Sequence, residues 1–82
     1  WRPLPSGALN QVKPKLSHGE QEAFRLYVSG LTTVQVAEEM NVQYETAKTY
    51  LRRVREKYAK VNRPASKKAE LIRRAAEDGF LE

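Results

Sequence analysis

Apolar residues recur at helical spacing in four separate stretches of the chain. The first stretch opens with Ser17-His18-Gly19-Glu20, which has the capping-box form of a hydroxyl at the N-cap and a carboxylate three residues later. It ends near Ser29, where Gly30 suits the left-handed conformation that commonly follows a helix. Its apolar residues are Ala23, Phe24, Tyr27 and Val28. The pattern predicts a core helix from Ser17 to about Ser29.

A second capping box, Thr32-Thr33-Val34-Gln35, follows almost at once and predicts a short helix over about 33 to 40. The apolar stripe of this helix is Val36, Ala37 and Met40. Asn41 stands where the helix must end, and Asn is one of the few residues other than Gly that tolerates a positive φ. Val42 is then expected to turn into the core.

A third helical pattern runs from Tyr44 to about Lys60. Its buried stripe is predicted to be Ala47, Leu51, Val54 and Tyr58, which fall within about 60° of one another at 100° per residue. The opposite face carries polar and charged residues, namely Glu45, Lys48, Thr49, Arg52 and Glu56. A flank of the same helix carries Thr46, Arg53 and Lys57.

The last helix is predicted over about 67 to 78, with Ser66 as its cap and Gly79 just past its end. Its apolar residues are too many for one face. Ala69, Ile72 and Ala76 form one line, and Leu71 with Ala75 forms a second line roughly 100° to 130° away. The second line is either more core or a surface for a partner.

These elements predict an all-α fold, a four-helix bundle-like domain with a central helix-turn-helix over residues 16-82. Residues 1-15 contain three Pro and a Gly without an apolar period, so we interpret them as an interdomain linker or arm. The chain has the character of a piece of a longer protein.

Composition narrows the function classes. The 82 residues contain no Cys and one His, which argues against disulfides, thiolate metal sites and any two-histidine ligand set. No acid/base pair or metal-ligand set is recognisable, so we predict no enzyme activity, no catalytic residue, no metal and no cofactor. His18 is interpreted as an exposed surface residue. No apolar run approaches the ~18 residues that a membrane span needs, so no membrane partner is expected.

Charge is distributed very unevenly along the chain. The net charge is +5, yet residues 48-68 alone hold nine Lys or Arg against one Glu, while residues 16-47 are net acidic. A concentration of cations of this kind is typical of a nucleic-acid binder, and a solvated basic helix face is the alternative.

The helix-turn-helix pattern favours DNA. A B-DNA major groove admits one helix, so the third helix, about 44-59, is expected to enter it. Lys48 and Arg52 are suited to guanine O6/N7, and Thr49 offers a hydroxyl or a methyl group for a base edge. Phosphate contacts are predicted for Thr33 at the start of the second helix and for the flank residues Thr46, Arg53 and Lys57.

The same residues resemble those of a known family. From Leu16 to Leu81 the chain resembles the LuxR/FixJ/NarL-type (GerE-like) DNA-binding domain of bacterial response regulators and quorum-sensing activators. The matching stretches are Leu16-Ser17-x-x-Glu20, Ser29-Gly30-Leu31-Thr32, Val36-Ala37-Glu38-Glu39-Met40, Val42-x-x-Glu45-Thr46-Ala47-Lys48-Thr49-Tyr50-Leu51, Ala69-Glu70-Leu71-Ile72 and Gly79-Phe80-Leu81.

The resemblance implies a homodimer on two-fold-related half-sites of double-stranded DNA. It implies base contacts from Lys48, Thr49 and Arg52, and phosphate contacts near Thr32, Thr33, Thr46 and Arg53. It further implies a dimer interface on the last helix, at Leu71 and Ala75, and an N-terminal receiver or other regulatory domain beyond the linker. The setting expected for such a regulator is the bacterial cytoplasm, at the nucleoid.

Two features depart from the family pattern: Gln43 is a weak helix cap, and the 60-67 connection is longer and contains Pro64. Two alternative functions stay open. A sigma-factor-like promoter-binding region shares the helix-turn-helix and works with RNA polymerase; an acidic-aromatic polymerase-binding pattern, which would favour it, is not recognisable. A helical protein-interaction module would use its basic face to bind an acidic protein.

Overall fold

A computed structural model describes residues 13–80, which form four α-helices: α1 (His18–Val28), α2 (Thr33–Met40), α3 (Tyr44–Lys60) and α4 (Lys68–Asp78). Within that range the chain forms no β-strand. The predicted all-α fold is confirmed. The predicted linker, residues 1-15, falls mostly outside the described residues, but Pro14 is already buried, as is Leu16 at the start of the predicted domain.

The predicted helix caps account for the starts of α1 and α2. Both capping boxes form, Ser17 with Glu20 before α1 and Thr32 with Gln35 before α2. Asn41 ends α2 in the left-handed region, with φ 56° and ψ 46°. This conformation lets the Val42 amide donate to the Ala37 carbonyl at 3.0 Å. The turn is thereby closed and α3 begins two residues later.

The core has two connected parts. One lies where α1, α3 and α4 meet, around Phe24, Val54 and Tyr58. The other lies between α1, α2 and α3, around Val36 and Ala47. The predicted stripe of α3 is confirmed, because Ala47, Leu51, Val54 and Tyr58 are all at most 2% exposed. Burial of this stripe fixes which face of α3 points to solvent.

The start of α4 differs from the prediction by one residue. Lys67 rather than Ser66 is the N-cap, and α4 begins at Lys68. The Glu70 carboxylate accepts hydrogen bonds from the Ser66 hydroxyl at 3.1 Å and the Lys67 amide at 3.2 Å. Gly79 ends the helix in the left-handed region with φ 81°, as predicted.

Of the two apolar lines predicted on α4, the second is buried and the first is exposed. Leu71 and Ala75 are fully buried and belong to the main core, whereas Ala69, Ile72 and Ala76 are exposed. Leu71 and Ala75 were assigned to a dimer interface, and that assignment is wrong for these side chains because the chain's own core already covers them. The exposed apolar line of α4 is the other one.

A buried polar cluster explains this orientation of α4. Arg63, 4% exposed, contacts the Asp78 carboxylate at 2.9 Å, and the Tyr58 hydroxyl donates to the same carboxylate at 2.7 Å. Asp78 lies seven residues after Leu71, on the same face of the helix. Burial and the hydrogen bond to Asp78 both raise the pKa of Tyr58 well above its usual value. The long 60-67 connection thus delivers the arginine that anchors α4 to α3.

None of the described helices is long and apolar enough to cross a membrane. The same residues contain no group of three or more His, Asp or Glu side chains placed to hold a metal ion.

Candidate nucleic-acid interface

The α2–turn–α3 unit has the geometry of a helix-turn-helix. Ala37, 5% exposed, lets α3 pack closely across α2, and Val42 packs into the angle between the two helices. Gln43, the N-cap of α3, makes no side-chain capping bond, which agrees with its being a weak cap. The first turns of α3 are therefore held by packing on their inner side and leave their outer side open.

Over its first three turns, the outer face of α3 carries three exposed cations, Lys48, Arg52 and Arg53. Arg52 Nε lies 3.9 Å from Glu56 Oε2, with both side chains at least 60% exposed. Lys48 Nζ lies 6.0 Å from the centroid of the Tyr44 ring. Contacts this long and this exposed contribute little energy, so a ligand can replace them at small cost.

Thr49 lies close to the middle of this face. It is roughly 190° from the centre of the buried stripe on a helical wheel, between Arg52 and Arg53. Its hydroxyl is not free to rotate, because Oγ1 donates to the Glu45 carbonyl at 2.9 Å. The side chain is half-buried among its longer neighbours.

A shallow groove runs along one flank of α3, lined by Glu45, Thr46, Thr49, Tyr50 and Arg53. The floor of this groove depends on Gly19 of α1. A Cβ atom at Gly19 would lie 2.8 Å from Tyr50 Cζ, closer than real contacts allow. The absent side chain lets the Tyr50 ring lie against the first turn of α1.

The beginning of α2 offers a second polar element. Thr32 Oγ1 accepts a hydrogen bond from the Gln35 amide at 3.3 Å, and the Thr32 amide donates to Gln35 Oε1 at 2.9 Å. Thr32 is thus occupied as a cap, while Thr33 occupies the first turn, where amides have no partner within the helix. An anion at this end would be favoured by those amides and by the helix dipole.

Lys57, predicted to contact phosphate, has a different role. Its ammonium donates to the carboxylate of Glu20, which is only 2% exposed. Burial by itself would raise the pKa of Glu20, but the hydrogen bonds from Lys57 and Ser17 and the attraction of the Lys57 charge lower it below 4.5. Lys57 therefore joins α3 to the first turn of α1, and this ion pair accounts for its position without a phosphate.

The basic segment, residues 48-68, consequently exposes fewer positive charges than its sequence suggests. Of its nine cations, five are exposed: Lys48, Arg52, Arg53, Lys60 and Lys67. The other four face the protein. Lys68 Nζ donates to the Leu31 carbonyl at 2.7 Å and lies 4.3 Å from the centroid of the Tyr27 ring, and Arg55 approaches the same ring at 5.9 Å. Lys57 and Arg63 form the ion pairs with Glu20 and Asp78.

Sequence reasoning missed both of these ion pairs. Glu20 was assigned only to the capping box, although it lies one helical turn before Phe24 and hence on the inward face. The four-residue spacing between Glu20 and Phe24 was therefore the feature of the sequence that indicated a buried Glu20. His18, by contrast, is exposed as predicted, and its Nε2 atom lies 3.8 Å from Oε2 of Glu22.

Comparison with known proteins gives one match. A family model described as Sigma-70, region 4 matches residues 6–57, a range that contains α1, α2 and most of α3 and leaves α4 outside. No curated protein and no solved structure matches the chain. The family is one of helix-turn-helix DNA-binding domains, related in fold to LuxR/GerE-type domains.

Proposed function

This chain belongs to the sigma-70 region 4 family of helix-turn-helix DNA-binding domains, and we propose that it reads duplex DNA sequence-specifically by inserting α3 into the major groove. The observation that carries the proposal is the outer face of α3. The exposed Arg52 and Arg53 flank Thr49 there, opposite the stripe that anchors the helix, and the exposed Lys48 lies at one edge of this face.

Within this proposal Lys48, Thr49 and Arg52 meet base edges. Arg52 and Lys48 are donors suited to guanine O6/N7, and their contacts with Glu56 and Tyr44 are long and exposed. Thr32, Thr33, Thr46 and Arg53 meet phosphates. The amides at the start of α2 support the phosphate contacts of Thr32 and Thr33. The groove on the flank of α3 supports those of Thr46 and Arg53.

At a finer level we propose a transcription regulator, of the response-regulator kind, that binds two-fold-related half-sites as a homodimer through α4. The resemblance of residues 16–81 to LuxR-type output domains supports this, and so does the exposed apolar line of α4, made of Ala69, Ile72 and Ala76. The same resemblance supports an N-terminal regulatory domain, such as a receiver.

The family match favours a second candidate, a sigma-factor-like region that recognises promoter DNA together with RNA polymerase. The two candidates differ in stoichiometry. A regulator dimer predicts a selected DNA motif with two-fold symmetry, whereas a sigma-like region predicts a single asymmetric element and one chain per site.

Selection of bound sequences from a random DNA pool with the purified chain tests the proposal. A defined motif is expected, and an Arg52→Ala chain is expected to select a more degenerate one. Sequencing that returns no enriched motif, together with capture of an acidic protein in a salt-dependent way, would replace DNA reading by the protein-interaction function. The symmetry of an enriched motif decides between the regulator and the sigma-like candidate.

A further inference from the structure

The Thr49 side chain is fixed in one orientation by the backbone of its own helix. Its hydroxyl hydrogen is used in the 2.9 Å bond to the Glu45 carbonyl, one turn earlier. Threonine in a helix has two accessible χ1 positions, and this bond selects between them. The oxygen therefore lies against the helix, and the methyl group takes the other position on Cβ.

The consequence is a change in the chemistry that Thr49 offers. A threonine whose hydroxyl hydrogen is bound to the backbone cannot donate to guanine N7 or O6, to adenine N7 or to thymine O4, which are the major-groove acceptors. What it still offers at the centre of the face is a methyl group, beside an oxygen that can only accept, from adenine N6 or cytosine N4. In the major groove the matching apolar group is the C5-methyl of thymine.

The residues around Thr49 support a contact with DNA through its methyl group. Arg52 and Arg53 lie on either side of it and are both exposed. Arg53, proposed to meet a phosphate, attracts DNA whatever its sequence, and Arg52, proposed to meet a base edge, brings the neighbouring Thr49 to the level of the bases. The side chain is half-buried, which suits a group that gains from losing the rest of its contact with water.

We infer that Thr49 reads one thymine of the DNA site through a methyl–methyl contact, and that its hydroxyl serves only to orient the methyl. This rests on the proposed insertion of α3 into the major groove. Burial of one methyl group is worth about 0.8 kcal/mol, so removal of the thymine methyl should weaken binding about fourfold.

Two near-isosteric substitutions separate the two halves of the side chain. Thr49→Val keeps the methyl and removes the hydroxyl, and Thr49→Ser keeps the hydroxyl and removes the methyl. Glu22→Asp is the matched control, because it also removes a single carbon, from an exposed residue of α1 for which no DNA contact is proposed. Thermal unfolding of each variant checks that the fold is retained.

The test starts from DNA sites selected with the 82-residue chain, in which each thymine in turn is replaced by deoxyuridine. For the parent chain, Thr49→Val and Glu22→Asp, one replacement is expected to weaken binding about fourfold. For Thr49→Ser, the same replacement should have no effect. The inference is overturned if no thymine is sensitive, if Thr49→Ser keeps the sensitivity, or if Thr49→Val loses it. Failure to select any site would instead reject the proposed function on which the inference rests.

Discussion

Lys57 of α3 and Glu20 of α1, 37 residues apart in sequence, form an ion pair whose carboxylate is buried and whose ammonium is about one-third exposed. The pair links the first turn of α1 to the C-terminal half of α3. A buried carboxylate is costly without its partner, so this contact is a condition for packing the two helices in their present arrangement.

We therefore expect Lys57→Met to lower the free energy of unfolding by about 2 kcal/mol at pH 7, less than for a fully buried pair because Lys57 is partly exposed. Chemical denaturation measures this. Lys60→Met is the control, since Lys60 is an exposed cation of the same helix, and it should leave stability unchanged.

The same pair predicts a pH dependence. The folded-state pKa of Glu20 is lowered, so its contribution to stability is complete above about pH 4.5 and is lost as the pH falls through the folded-state value. In Lys57→Met, burial without a cation should raise that pKa instead. The stability difference between parent and variant should then shrink as the pH falls, first through the raised pKa of the variant and then through the lowered pKa of the parent. A difference constant with pH would contradict the role given to Glu20.

Arg53 gives a prediction on the DNA side. As an exposed cation on the flank of α3 it is expected to contact a phosphate, so Arg53→Gln should weaken binding to all sequences and reduce the slope of log K against log salt by about 0.9. Titrations at several salt concentrations measure the slope. Arg73→Gln removes another exposed cation, from α4, where no phosphate contact is proposed, and should leave the slope unchanged.

Arg52 should behave differently from Arg53. Loss of its guanidinium is expected to cost about 1–3 kcal/mol on the selected site and to relax preference at one base position, with little effect on unrelated DNA. Competition binding with all four base pairs at each position measures both effects. If Arg52→Ala kept the parent's preference at every position, Arg52 would be a phosphate contact rather than a base contact.

The sequence predicted the local features of this fold well because they depend on a few neighbouring residues. Both capping boxes, the left-handed Asn41 and the stripe from Ala47 to Tyr58 were all readable from spacing alone. The face that α4 buries could not be predicted from spacing. It depends on Arg63 meeting Asp78 across the core, a contact between residues 15 apart that no helical period encodes.

The same limit applies to the candidate interface. Charge counting identified α3 as the basic helix, and Lys48, Arg52 and Arg53 are exposed as expected. It did not separate these from Lys57 and Lys68, whose charges are used inside the domain. Exposure is a property of the packed chain, so the number of cations available to DNA follows only from the tertiary structure.

The two neighbouring residues Leu71 and Ile72 of α4 give the last prediction, because they lie about 100° apart around the helix, one on its buried face and the other on its exposed face. Leu71 is fully buried and Ile72 is 36% exposed. Leu71→Asp places an unpaired charge in the core and should abolish cooperative unfolding at 25 °C, where this small domain has little stability to spare. Ile72→Asp should change the free energy of unfolding by no more than about 0.5 kcal/mol, as is usual for a surface substitution.

If α4 pairs two chains, Ile72→Asp should nevertheless remove joint occupancy of two half-sites, because it places a charge on the exposed apolar line. Binding to a single half-site should persist, as measured by gel shift on DNA with one or two half-sites. Undiminished joint occupancy would exclude the line of Ala69, Ile72 and Ala76 as the dimer contact.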